Sequence, residues 1–174
     1  MANICVAEGV VTGTVENIEK FCDLFLSLNQ EENEKKEKYF ARSTLIYGRE
    51  EINGEEKRER KTVDFAFECA WSVSVCMFKG KGFYTEKNSK CVLLEDIVRD
   101  LDLSIELVSN EMGLMLREYV SGNSSKGLSY EAVPIASIYE CSDCAHEEVT
   151  EKGEAEEELK KCPHCLSVNF FKVG

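Results

Sequence analysis

Residues 141–165 have the sequence CSDCAHEEVTEKGEAEEELKKCPHC, in which two Cys-x-x-Cys pairs are separated by 17 residues. Zn²⁺ prefers four thiolates at the corners of a tetrahedron, and two cysteines on one tight turn can supply two of those corners. Two such pairs at this spacing are typical of zinc sites. The sequence therefore predicts one structural Zn²⁺ held by four ligands: Cys141, Cys144, Cys162 and Cys165.

The segment around these cysteines is too short to fold without help. About 35 residues cannot bury enough apolar surface, and a bound metal is one of the few remedies. Candidate strands lie at 147–150 and 168–173, with an acidic loop between them. We therefore predict that residues 137–174 form a zinc ribbon.

Other uses of these cysteines are weaker hypotheses. A redox Cys-x-x-Cys pair would lie in a thioredoxin-like βαβ context. A catalytic zinc would keep an open coordination position. His146 and His164 flank the pairs and are alternative ligands, although four thiolates complete the shell without them. In rubredoxin-type turns glycine often follows the second cysteine, whereas here Ala145 and Leu166 occupy those positions.

Outside this segment the composition indicates a small globular protein. Hydrophobic residues make up 43% of the 174 residues, enough for a core, and no run approaches the roughly 20 apolar residues of a membrane span. The opening MANICVAEGVVTG lacks an early positive charge and predicts a first strand rather than a signal peptide. We expect no membrane association.

The nine cysteines and the net charge of −12 indicate the redox compartment of the protein and the kind of partner it suits. An odd count without a signal peptide disfavours a disulfide scaffold and favours a reducing cytoplasm. The cysteines outside the two pairs lie in apolar segments and predict buried core residues: Cys5, Cys22, Cys69, Cys76 and Cys91. A chain this acidic is a poor non-specific ligand for nucleic acid, but an acidic face suits a basic protein partner.

Hydrophobic periodicity predicts the elements before the ribbon. Strands are expected at 3–12, 39–47 and 62–70, with SVSVCMF continuing beyond the last of these, and short strands at 103–107 and 112–116. Helices are expected from a Thr14 cap to Leu28 and over 89–101. Ser109-Asn110 is the expected turn between the two short strands, and 121–127 is expected to be a flexible loop.

The predicted order is βα-ββ-αβ-β. Two helices on one face of an antiparallel sheet bury both sets of apolar stripes, and the split βαβ arrangement is the simplest topology with this order. We therefore expect an α+β chain with two parts, a ferredoxin-like domain over residues 1–136 and the ribbon over 137–174.

Three segments carry a resemblance to a known family: the opening MANICVAEGVVTG with its following helix, the strand ending in Ala70-Trp71-Ser72, and LSIELVSNEMGLMLREYVSG. Together they resemble the YubB-like ferredoxin-like domains found in proteins of phages, plasmids and other mobile elements. The resemblance covers about two-thirds of the chain, from Met1 to Val120. It implies a ferredoxin-like βαββαβ fold and a mobile-element origin, and no catalytic residues.

The sequence does not favour an enzyme. Both histidines lie in the ribbon, so the main domain lacks the usual general base, and no phosphate-binding glycine motif is present. The leading hypothesis is a phage-type accessory protein that binds a protein partner through its acidic surface. One version is an anti-CRISPR protein that blocks the basic nucleic-acid channel of a host effector.

The alternative hypothesis is a nucleic-acid-binding module, for which Lys57–Lys61, Lys79 and Lys81 form the candidate basic patch.

Two residues of the main domain are expected to have structural roles. Trp71 is expected to pack in the core or at its rim, and Glu111 is expected to end a turn rather than to hold a ligand.

Overall fold

The computed structural model describes residues 4–25, 43–47, 59–78, 93–151 and 161–173. In chain order the elements are β1 (Ile4–Thr14), α1 (Val15–Phe25), β2 (Ser43–Tyr47), β3 (Arg60–Ala70), α2 (Val73–Met77), α3 (Leu94–Asp100), β4 (Ser104–Glu111), β5 (Leu116–Asn123), β6 (Gly127–Cys141), β7 (Glu147–Glu151) and β8 (Phe170–Lys172). Over the described residues the chain is thus α+β. No helix in these ranges is long and apolar enough to cross a bilayer.

The described strands form one sheet in the order β2-β3-β1-β4-β5-β6-β7, and β8 also pairs with β6. Every described pairing is antiparallel. β6 pairs with β5 through residues 127–134 and with β7 and β8 through residues 135–141. One strand therefore runs across the predicted domain limit at 136/137 and joins the two parts of the chain.

The main core lies between one face of the sheet, the inner face, and the helices. Alternate residues of the strands point into it because successive side chains in a strand face opposite sides. Its largest fully buried apolar side chains are Phe21, Phe65, Phe67, Ile18, Leu94, Leu103 and Ile105. Of the predicted apolar stripes, Ile18, Phe21 and Cys22 are buried on α1, and Leu94, Ile97 and Val98 are buried on α3. The opposite, outer face of β3, β1, β4 and β5 is not covered by these helices.

The cap predicted at Thr14 is confirmed, since its hydroxyl accepts a hydrogen bond from Asn17 N at 3.3 Å. The predicted strands at 3–12 and 62–70 are also confirmed, each with small changes at its ends. The predicted segments at 26–42 and 79–92, including the Ser89 cap, lie outside the described residues.

The segment after β3 is a helix rather than a continued strand. Trp71 takes a left-handed backbone conformation, with φ of 69°, which ends the strand. Ser72 then caps α2, its hydroxyl accepting from Val75 N at 3.3 Å. The alternation of small residues in SVSVCMF predicted an extended segment, but the cap and the reversal at Trp71 override it.

Two turns differ from the prediction. Ser109 and Asn110 lie inside β4, and the chain turns at residues 112–115 instead. The Glu111 carboxylate accepts from Gly113 N and Leu114 N, which closes that turn. Residues 121–127 are not a loop throughout, because β5 ends at Asn123 and β6 begins at Gly127, and the Asn123 side chain accepts from Ser125 N and Lys126 N across the short turn.

Candidate metal centre

Two turns of the same construction carry the four predicted ligands. The first follows β6, where Ala145 N donates to Cys141 O at 2.8 Å and Cys141 N donates to His146 O at 3.0 Å. The second precedes β8, where Leu166 N donates to Cys162 O at 2.9 Å and Cys162 N donates to Ser167 O at 2.9 Å. Each turn therefore brings its two cysteines to one side of the backbone.

The residue after the second cysteine of each turn has a left-handed conformation. The φ angle is 57° at Ala145 and 62° at Leu166. This is the conformation for which rubredoxin-type turns often use glycine, because a Cβ atom crowds the backbone there. The turns keep this geometry without glycine.

The four sulfur atoms form a compact cluster and all lie within 4.8 Å of one another. Cys141 Sγ and Cys165 Sγ are 3.6 Å apart, and so are Cys144 Sγ and Cys162 Sγ. Four thiolates at 2.3 Å from a central Zn²⁺ would be roughly 3.8 Å apart, whereas a disulfide requires about 2.05 Å. The spacing fits a tetrahedral metal site, and all four cysteines are free.

The pKa values of the thiols also favour a bound cation. Burial raises the pKa of Cys162, but the amides of Cys165 and His164 and the neighbouring thiols lower it to about 7. The amide of His146 lowers the pKa of Cys144, yet desolvation and the other three thiols raise it to about 12. Four negative sulfurs repel each other at this distance, and a divalent cation is what would allow all four to be thiolates. The residues present therefore fit a metal ion.

The surroundings hold the two turns together. Asp143 of the first turn accepts hydrogen bonds from Ser167 Oγ and from Asn169 Nδ2, the latter at 3.1 Å, and Ser142 N donates to Asn169 O at 3.1 Å. A small core lies beneath the cluster and contains Tyr139, Cys141, Cys162 and Phe170. The rings of Tyr139 and Phe170 stack with centroids 5.6 Å apart. This core is as small as the sequence suggested.

The two histidines lie beside the sulfurs. Their rings stack with centroids 5.6 Å apart, and His146 Nε2 is 3.2 Å from Glu148 Oε2. The close group of ligand atoms among the described residues consists of the four cysteine sulfurs. Four sulfur donors leave no open corner for a substrate, as in structural rather than catalytic sites.

The remaining predicted residues lie in the main domain. Cys5, Cys22, Cys69 and Cys76 are buried, as expected, while Cys91 lies outside the described residues. Trp71 is half-buried at the end of β3. Glu111 is 1% exposed and lies at the end of β4, where it caps the turn at 112–115 rather than ending the turn expected at Ser109-Asn110. Of the candidate basic patch, Arg60 and Lys61 are described, whereas Lys57, Lys79 and Lys81 are not.

Sequence reasoning missed one buried acid. Glu118 is 1% exposed, and its Oε2 atom accepts from Ser74 N at 3.2 Å and from Ser109 Oγ at 3.3 Å. Its Oε1 atom has no hydrogen-bond partner within the described part of the chain. The signal was available in the alternation of β5, where Glu118 falls in phase with the buried Val120.

A second missed feature is a cleft of about 560 Å³ between the outer face of the sheet and the ribbon. The sheet contributes Ile4, Val6, Glu8 and Val108, and the ribbon contributes residues 145–149. No periodicity of the sequence could indicate it, because it arises from the path of β6.

The chain was compared with protein-family models, with curated proteins and with solved structures, and none of the three comparisons finds a match.

Proposed function

We propose that this protein is a non-enzymatic binding protein whose outer sheet face docks a basic surface of a partner protein. The observation that carries the proposal is the distribution of charge on that face. Exposed carboxylates occur on β1, β3, β4 and the adjoining part of β6, where Glu131 lies opposite Tyr119 of β5: Glu8, Asp64, Glu68, Glu106 and Glu131. Arg117 shares the face but already contacts Glu151 at 3.6 Å and Asn110 at 2.9 Å.

Apolar side chains lie between these acids. Ile4 is 61% exposed and Val6 is 39% exposed, both on the outer side of β1. The register places Val6 opposite Glu68 of β3, and Val10 opposite both Asp64 of β3 and Glu106 of β4. An apolar stripe with acids along both sides suits a protein surface with basic residues around an apolar contact.

The ribbon contributes structure to this proposal. We take its metal to be Zn²⁺, since a closed set of four thiolates is the usual environment of structural zinc.

The main sheet is proposed to be a ferredoxin-like split βαβ unit, which is supported by the order β2-β3-β1-β4. In that order β3 lies between β1 and β2, and β1 lies between β3 and β4, so each βαβ connection is split by one strand.

The biological setting rests on the resemblance to YubB-like domains. On that basis we propose that the protein acts in the cytoplasm of a bacterial host as an accessory protein of a phage or other mobile element. A basic nucleic-acid-binding protein of the host, such as a CRISPR effector, is then a partner of the right charge. The alternative, direct nucleic-acid binding by the ribbon and the sheet, would need a basic patch, and the exposed carboxylates of the outer face oppose it.

A capture experiment with two matched variants tests the proposal. The zinc-loaded protein, immobilised, is exposed to a bacterial lysate beside the outer-face variant D64N/E68Q and the helix-side control E19Q/D23N, which removes the same charge. We expect the wild type and the control to retain the same partner and the outer-face variant to lose it. Equal recovery by all three, or no partner at all, would contradict the proposal.

A gel shift separates the alternative. We expect no shift of DNA or RNA by the purified protein. A shift that weakens steeply with added salt would indicate phosphate contacts and would favour the nucleic-acid-binding module instead.

A further inference from the structure

The cleft between the outer sheet face and the ribbon has the features of a peptide groove. We propose that it holds an extended basic segment of the partner protein, which pairs as an added strand with the free edge of β7. The inference rests on the proposed function, because it names where on the acidic face the partner docks and in which conformation.

β7 borders this cleft, and one of its edges has no partner strand among the described residues. Within the described sheet β7 pairs with β6 alone and ends the strand order. Three consecutive residues of β7, Glu147–Val149, line the cleft, together with Ala145 and His146, which precede the strand. Side chains of a strand alternate between its two faces, so consecutive residues line one space only where the strand presents its edge. The unpaired N–H and C=O groups of such an edge are a template for another chain.

The cleft is held open by contacts that do not need a ligand. Val149 packs with Ile135 and Ile138, and Met112 and Met115 pack against this cluster from the turn after β4. At the far end of β7 the Glu151 carboxylate accepts a hydrogen bond from Tyr119 Oη and lies 3.6 Å from Arg117 Nη1. Because these contacts hold β7 in place, little ordering is required when a peptide enters.

The side chains of the cleft indicate which peptide it takes. Ile4, Val6 and Val108 give it an apolar floor, and Glu8, Glu147 and Glu148 place carboxylates around that floor. Of the basic side chains in the lining, Arg117 is already engaged by Glu151 and Asn110, and His146 Nε2 lies 3.2 Å from Glu148 Oε2. A strand that alternates aliphatic and basic side chains would set the former on the floor and the latter near the acids. The same acids disfavour pairing of β7 with a second copy of itself, since like charges would meet.

A set of synthetic peptides tests the pairing. The zinc-loaded full chain is titrated with acetyl-KVKVKVK-amide, with the same peptide methylated at every backbone nitrogen between its end groups, and with acetyl-EVEVEVE-amide. Binding is followed by amide chemical shifts and by amide hydrogen exchange. We expect the first peptide to shift residues 4–8 and 145–149 and to slow exchange along β7.

The methylated peptide should bind at least about tenfold more weakly, because it cannot donate the ladder hydrogen bonds. The acidic peptide should not bind. Equal affinity of the methylated peptide, or shifts confined to other parts of the outer face, would overturn the strand-addition inference.

Variants of the protein locate the site. V6K and E147K lie in the cleft, while V10K and E131K make the same changes on the outer face away from it. We expect the cleft variants to weaken binding of the lysine peptide by about tenfold, as for loss of a well-placed contact, and the controls to weaken it much less. The reverse order would overturn the inference.

The outcome also separates this inference from the proposed function. If partner capture depends on Asp64 and Glu68 but is unchanged in V6K and E147K, the acidic face binds its partner and the cleft does not. If neither a basic peptide nor a partner protein binds the wild type, both fail.

Discussion

Ala145 and Leu166 adopt the same left-handed conformation at equivalent positions of the two cysteine turns, with φ of 57° and 62°. Each follows the second cysteine of its pair, and each donates its amide to the carbonyl of the first cysteine, at 2.8 Å and 2.9 Å. The ribbon thus repeats one turn twice and joins the copies through their sulfurs. In both copies the conformation is one that a side chain with a Cβ atom adopts at a cost of about 1–2 kcal/mol.

Replacing either residue with glycine should stabilise the ribbon. Glycine removes the crowded Cβ but also gains freedom in the unfolded chain, so we expect a net gain of about 0.5–1 kcal/mol for A145G or L166G. Leu166 is 72% exposed, so little packing is lost. Chelator competition for the bound metal, together with amide exchange in the ribbon, measures the gain. The matched control A132G lies in β6 outside the left-handed region and should destabilise by a similar amount, and the same sign for both changes would contradict this account.

Removing the metal should unfold the ribbon and leave the main core intact. Structural zinc contributes about 10–16 kcal/mol of apparent free energy in small zinc-binding units, far more than the core around Tyr139 and Phe170 can replace. We expect one zinc per chain by elemental analysis, and none in C141S/C162S. Amide signals of residues 135–151 and 161–173 should collapse in that variant, while those of β1, β3 and β4 persist.

The control for this change is C22A, which removes a buried thiol from the main core. It should keep one metal ion per chain. A metal-free wild type, or a ribbon that stays ordered in the double variant, would contradict the structural role of the site.

The cysteine pattern made the ribbon predictable because metal ligation leaves a local and specific mark on the sequence. Helix α3 was similarly clear, since Leu94, Ile97 and Val98 recur at helical spacing and are buried together. The turn after β4 was not predictable. Ser109 and Glu111 are polar, yet both point inward, where Ser109 donates to Glu118 and Glu111 caps the turn. From the sequence alone, a polar residue that is hydrogen-bonded inside the fold cannot be distinguished from one in a solvated loop.

The path of β6 could not be predicted from the sequence either. Its 15 residues serve two partners, β5 first and then β7 with β8, and the change comes at an irregular register between Ile135 and Ser137. Alternation of apolar residues predicts a strand but not where that strand exchanges neighbours. The cleft, and with it the proposed peptide groove, depends on that exchange.

Loss of the Glu111 carboxylate should destabilise the turn between β4 and β5. The side chain is 1% exposed and accepts hydrogen bonds from Gly113 N and Leu114 N. In E111A both amides lose this acceptor. We expect a cost of about 1–3 kcal/mol in the free energy of unfolding. E111Q keeps one acceptor oxygen and should cost less. Denaturant unfolding followed by the fluorescence of Trp71, the one tryptophan of the chain, reports it. Equal stability of E111A and the wild type would show that water replaces the carboxylate.

Acidification should remove a stabilising contribution from Asp102. Its carboxylate accepts from Ser124 Oγ at 2.6 Å and pairs with Arg60 at 2.9 Å, so it connects the turn before β4 to the β5–β6 turn and to the start of β3. The Ser124 hydrogen bond first, and then Arg60, lowers the pKa of Asp102 below its ordinary value. A carboxyl whose folded-state pKa is depressed stabilises the fold above its unfolded-state pKa, about 3.9 for aspartate. That contribution is lost as the pH falls through the folded-state value.

The matched variants are D102N and R60Q. Asp102 has φ of 48°, a conformation that asparagine also tolerates, so D102N removes the charge without straining the backbone. We expect D102N to be less stable than the wild type at pH 7 and the difference to shrink progressively below about pH 5 as the wild-type carboxylate is protonated. Trp71 fluorescence follows the main domain, so loss of the metal from the ribbon in acid does not enter the comparison. In R60Q the carboxyl signal of Asp102 should titrate at a higher pH than in the wild type, because one of the two groups that hold it ionised is gone. A difference between D102N and the wild type that stays constant down to pH 2 would mean that the charge of Asp102 does not act through these contacts.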